Sequence, residues 1–90
     1  MSAAKFPLGR LVATPNALEH IPQPEMLSAL GRHLVGDWGQ MTVADFEANE
    51  LALLEDSRLF SVYRTANGVK FWIITEWNRE VTTVLLPEDY

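Results

Sequence analysis

Cysteine is absent from this 90-residue chain, so neither a disulfide nor a thiolate metal site can stabilise it. Basic residues are scarce, with seven Lys and Arg against twelve Asp and Glu and a formal net charge of −5. Such a field repels phosphate backbones, so no nucleic acid is expected as a partner. The acidic residues are scattered and form no tail. No apolar run approaches the roughly 20 residues of a membrane span, and no membrane partner is expected. The opening "MSAAKFPLGRLVATP" lacks the apolar stretch of a signal peptide, which points to a soluble cytoplasmic protein. HExxH, GxSxG, Walker, GxGxxG and paired-Cys patterns are all missing. No catalytic residue, cofactor or metal is therefore assigned.

What is present is an ordinary globular composition, 48% hydrophobic and 21% charged. Ninety residues make a single domain over 1–90 with one core, and residues 1–8 are expected to be flexible or loosely packed. "GRLVAT" (9–14) is a short extended piece ended by Pro15. A turn of helix fits Asn16 to His20, with Thr14 as N-cap and Pro15 at the first helical position. In "PEMLSALGRHLVG", Met26, Leu27, Leu30 and Leu34 recur at helical spacing and Gly36 stands where a helix stops. Thr42 and Asp45 then read as a capping box opening "VADFEANELALLED", whose apolar stripe is Val43, Phe46, Leu53 and Leu54. Asn49 and Glu50 fall on or beside that stripe, and a polar group there needs a partner.

From Arg58 onward the pattern changes to strands, "RLFSVYRT", "VKFWIITE" and "VTTVLLP". Asn67-Gly68 suits a two-residue type I′ turn. That turn would set Arg64 opposite Phe71, Val62 opposite Ile73 and Phe60 opposite Thr75. The "WNRE" connection sets Ile73 opposite Val84 and Trp72 opposite Leu85. Phe60, Val62, Phe71, Ile73, Val84 and Leu86 then form the core face. The other face keeps Tyr63, Trp72, Ile74, Val81 and Leu85, an apolar patch that monomers rarely leave open. Phe6, Leu8 and Leu18 could fold over it, or a second copy or another protein could bury it.

Polar candidates are few. His33 lies four residues before Asp37, a pair that could do acid–base work or could simply end a helix, where a cation meets the dipole. A candidate polar site combines Asp37 and Trp38 of the "GDWG" loop, Asn49, and Thr75, Glu76, Trp77 and Arg79 of the "TEWNR" turn.

The succession strand, helices, three strands is similar to the RelE/ParE-like toxins, some of which cut mRNA; that likeness is topological, and those proteins are usually basic. The segments "GDWG", "FEANELAL" and "RLFSVYRTANGVKFWIITEWNREVTTVLLPEDY" resemble a family of small uncharacterised bacterial proteins, often plasmid-related. That resemblance spans residues 8–90 and implies a bacterial or mobile-element origin; it carries no catalytic residues over. Trp77 departs from its pattern, which has a small residue there.

The expectation is an α+β domain of order β-α-α-β-β-β, an antiparallel three- to four-stranded meander packed on two helices. Its expected role is a protein-interaction or accessory module, as a homodimer or with a protein partner, through the Tyr63/Trp72/Leu85 face. The alternative is a small-molecule or catalytic site between "GDWG" and "TEWNR"; the remote one is a RelE-like ribonuclease.

Overall fold

Backbone donors at the start of a helix lack intrahelical acceptors, and threonine supplies one at two of the three helices. The computed structural model describes residues 3–90. After strand β1 (Arg10–Ala13), the Thr14 side chain accepts from the Ala17 N–H and Pro15 opens α1 (Pro15–His20). Helix α2 (Gln23–Leu34) runs on towards Gly36, whose φ of +81° suits the left-handed residue that stops a helix. Thr42 caps α3 (Val43–Glu55) by accepting from the Asp45 N–H. Strands β2 (Leu59–Arg64), β3 (Lys70–Thr75) and β4 (Val81–Leu85) follow, with a short 3₁₀ turn at Pro87–Asp89. Among the described residues no helix is long and apolar enough to cross a membrane.

The class is α+β, but the sheet is mixed, in the order β1-β4-β3-β2. β2, β3 and β4 form the expected antiparallel meander, whereas β1 runs parallel to β4, with Arg10 opposite Val81 and Ala13 opposite Val84. A purely antiparallel sheet on two helices is therefore corrected to a mixed sheet with three helices. The three helices carry the chain from β1 across to β2 at the far edge. The meander then returns to β1, and its last strand meets β1 running the same way.

The first hairpin corrects the expected register by one residue: Arg64 pairs with Lys70, Tyr63 with Phe71 and Val62 with Trp72. Thr65 N–H bonds to the Val69 carbonyl and Gly68 N–H to the Thr65 carbonyl, both at 2.9 Å. Gly68 has φ +86° and Asn67 keeps a negative φ. The turn is thus a three-residue loop with a glycine bulge rather than type I′. A slip of one exchanges the two faces of β2. Leu59, Ser61 and Tyr63 join Phe71, Ile73 and Val84 beneath the helices, while Phe60 and Val62 turn to the other side. The second hairpin has the expected register, with Ile73 opposite Val84 and Trp72 opposite Leu85.

The main core packs Ala17 of α1, Ile21 just after it, and Met26, Ala29 and Leu30 of α2 onto Tyr63, Phe71, Ile73, Val84 and Leu86. A second cluster joins Phe6, Trp38, Ala52 and Leu59. Phe6 is only 7% exposed and Lys5 N–H bonds to the Leu34 carbonyl, so part of segment 1–8 lies in the core. Met1 and Ser2 fall outside the described residues. The expected stripe of α3 is corrected as well. Val43, Phe46 and Leu54 are exposed, Leu53 is half-buried, and Asn49 and Ala52 face inward. Asn49 has backbone to satisfy, and that sets the roll of the helix.

Candidate functional site

The seven residues of the expected polar site do not converge. Asp37 forms an exposed ion pair with Arg32 at 2.8 Å, and this partner holds its carboxyl below the ordinary range. Trp38 is buried and donates Nε1–H to Glu50 Oε2 at 3.0 Å. Asn49 faces β2, Glu76 pairs with Arg58, and Trp77 is 64% exposed. Arg79 donates to the Ala52 and Ser57 carbonyls, a cation placed at the C-terminal end of α3 and the residues just after it. Except for exposed Trp77, these side chains hold pieces of the fold together.

His33 does not pair with Asp37. It is fully buried, its Nδ1 against Ser61 Oγ and its Nε2 2.9 Å from Thr75 Oγ1. Thr75 Oγ1 lies 2.7 Å from Thr82 Oγ1, which donates to the Leu8 carbonyl at 2.7 Å. Proton order follows from the end of this chain. The carbonyl can only accept, so Thr82 donates to it and must accept from Thr75; Thr75 in turn accepts from His33 Nε2–H. A neutral His33 therefore accepts at Nδ1 from the Ser61 hydroxyl. Burial, then the charge of Arg79, lowers the imidazole from 6.5 to about 4, which keeps it neutral. The Ser–His contact has the chemistry of a nucleophile and base, but Ser61, His33 and Thr75 are all 0% exposed. It holds α2, β2, β3, β4 and the N-terminal segment together. Beside it Tyr63, 2% exposed, donates to the Asp37 carbonyl at 2.6 Å, and burial raises its hydroxyl to about 12.

The expected interaction face of Tyr63, Trp72, Ile74, Val81 and Leu85 is divided. Tyr63 lies on the helix side, the consequence of the register slip. Ile74 and Leu85 are 4% and 6% exposed, Trp72 and Val81 half-buried. What crosses this face is the C-terminal Tyr90, its ring 5.7 Å from that of Trp72 and its hydroxyl accepting from Arg58 at 2.9 Å. Phe6 and Leu8 pack on the helix side, so these two residues do not cover it. Trp72 Nε1 is buried with no hydrogen-bond partner among the described residues, and its ring makes edge contacts with Phe60 and Tyr90.

The two edges of the sheet differ. At β2 the outward backbone groups of Phe60 and Val62 are engaged: Asn49 Nδ2 donates to the Phe60 carbonyl at 2.6 Å, and Asn49 Oδ1 accepts from its N–H at 3.1 Å. Val62 N–H bonds to the Trp38 carbonyl and its carbonyl accepts from Gln40 N–H. Gly39 brings the loop this close: a Cβ there would stand 1.9 Å from the Val62 carbonyl oxygen, and its φ is +83°. At β1, Arg10 and Thr14 donate inward to Glu80 and Val84, so the alternation of a parallel ladder turns Leu11 and Ala13 outward. Their backbone groups have no partner among the described residues.

Beside this open edge lies a groove of about 490 Å³ between β1, α1 and α2. Leu11, Leu18 and Leu27 line it and are 46%, 65% and 58% exposed. Gln23 is its single polar side chain, so it offers apolar enclosure without acid–base groups. Among the described residues no group of three or more His, Asp or Glu is placed to hold a metal. The sequence shows Leu27 among the helically spaced residues of α2 and residues 9–14 as a short edge or pairing strand, but not the groove between them. The available signal was a short first strand flanked by leucines with no edge-protecting lysine. No family model matches the chain, and neither curated proteins nor solved structures give a match.

Proposed function

We propose that this chain is a small protein-interaction module whose docking surface is the β1 edge with its apolar groove. The asymmetry of the two edges carries the reading. β2 is closed by a dedicated asparagine and by a loop that needs glycine at residue 39, whereas β1 offers free N–H and C=O groups at Leu11 and Ala13. An extended segment adding to such an edge gains main-chain hydrogen bonds, and its alternate side chains enter the groove. Exposed Leu11, Leu18 and Leu27 supply the apolar contact.

Panning a phage-displayed library of random peptides on the purified protein tests this. Peptides with alternating apolar residues are expected. Leu11→Lys, which puts a charge into the groove, should weaken them by about tenfold or more. Leu51→Lys, on an α3 side chain 52% exposed, should leave them unchanged. No recovered binder, or binders indifferent to Leu11→Lys, would refute the reading.

A further inference from the structure

Resting on that reading of the β1 edge, we infer that its partner is a second copy of this chain, joined by antiparallel pairing of β1 with β1 about a two-fold axis at Val12. The backbone permits one register of greatest overlap. Leu11 and Ala13 are the outward residues, so Leu11 of each copy exchanges both N–H···O=C bonds with Ala13 of the other, and Val12 faces its own counterpart. The two sheets become one of eight strands, since each contributes four.

Side chains agree with that register on both faces. Leu11 and Ala13 lie on the helix side, opposite Thr82 and Val84. Leu11 of one copy then sits over Ala13 of the other, the small residue at the floor of the groove, with Leu18 and Leu27 alongside. A large side chain meets a small one twice, by symmetry. On the other face Arg10 lies opposite the second copy's Thr14. Arg10 is exposed and in no ion pair among the described residues. The Thr14 hydroxyl donates to Asp89 Oδ2 at 2.6 Å, which puts a carboxylate where the incoming guanidinium arrives. The strand thus ends in opposite charges that antiparallel pairing brings together twice. Self-complementarity of this kind, in charge, size and hydrogen-bond phase, favours a second copy over an unrelated strand.

Disulfide trapping in this cysteine-free chain tests the register. Residues facing across a non-hydrogen-bonded antiparallel pair have Cα atoms about 4.5 Å apart, inside the roughly 4.4–6.8 Å span of a disulfide. Val12→Cys should therefore oxidise to a covalent dimer under mild oxidant. Leu11→Cys should not, because two residues of rise, roughly 6.6 Å along the strands, separate that pair. Sedimentation of the wild type from low to high micromolar should show a monomer–dimer equilibrium. Arg10→Glu should weaken it about fivefold by setting like charges opposite, with an unchanged circular dichroism spectrum. A wild type that stays monomeric, or Leu11→Cys cross-linking as fast as Val12→Cys, overturns the self-pairing. If such a monomer still holds panned peptides through Leu11, the docking surface stands without self-association; if it holds none, both proposals fall.

Discussion

Acid should destabilise this protein chiefly through one side chain. His33 is 0% exposed and held at about 4, while in the unfolded chain it titrates near 6.5. Between those values the unfolded state binds a proton that the folded state refuses, so stability is complete above pH 6.5 and falls as pH drops towards 4. The slope approaches 1.36 kcal/mol per pH unit, and integration from pH 7.5 to 4.5 gives a loss of about 2.5 kcal/mol. A domain of this length has roughly 5–14 kcal/mol in all, so the loss is large. Urea unfolding at the two pH values should show a midpoint drop of about 2 M at an m-value near 1.2 kcal/mol/M. The lowered carboxyls of Asp37 and Asp89 do not confuse this window: their contributions are present above 3.8 and are lost only as pH falls further. His33→Gln keeps a donor for Thr75 and an acceptor for Ser61 but cannot titrate; its loss over the same range should shrink to under about 0.5 kcal/mol. A wild type equally stable at both pH values, or a glutamine variant with the same fall, would refute the assignment. Nitrogen shifts of the imidazole should show a protonated Nε2 and a bare Nδ1 at pH 7.

Three further outcomes are expected. Phe71, 1% exposed on the central strand β3, should cost about 3–5 kcal/mol as Phe71→Ala, read by denaturant melts. Asn49→Ala strips both backbone groups of Phe60 of their partners and should cost about 2–3 kcal/mol, with faster hydrogen exchange at the Phe60 amide. Gly31 and Gly39 should respond oppositely to alanine. Gly31, inside α2 with nothing within 4 Å of an added Cβ, should gain about 0.5–1 kcal/mol, whereas Gly39→Ala should lose more than about 2 kcal/mol, both seen as shifts in melting temperature.

Helix ends were legible because capping is local chemistry: Thr14, Pro15, Gly36 and Thr42 act within a few residues of themselves. The second hairpin was legible because its turn length fixes its register. The first was not, because Asn-Gly serves two turn types differing by one residue. β2 offers apolar residues to both faces, Leu59 and Tyr63 on one, Phe60 and Val62 on the other, so hydrophobicity could not choose between them. Ser61 was the discriminating residue. His33, Thr75 and Thr82 are polar positions that share a face with it only in the observed register. The parallel partner of β1 had no local signal, since four residues bounded by glycine and proline can join either edge in either direction. The groove stayed hidden for the same reason, being defined by which edge β1 occupies.

On the pairing proposed above, Asn49 would bear on how many neighbours a molecule can have. A sheet with two free edges is polyvalent: each added copy presents a fresh edge, and growth continues into a fibre. With Phe60 held by one carboxamide and Val62 by the loop, the self-pairing proposed at β1 would have no comparable run of open backbone at β2 to repeat on. Pairing at β1, as proposed, would then close on itself and leave a finite particle. Replacing Asn49 would therefore change the stoichiometry available to the protein as well as its stability. In that sense one amide group, together with the loop at Gly39, would limit assembly from the edge opposite the groove.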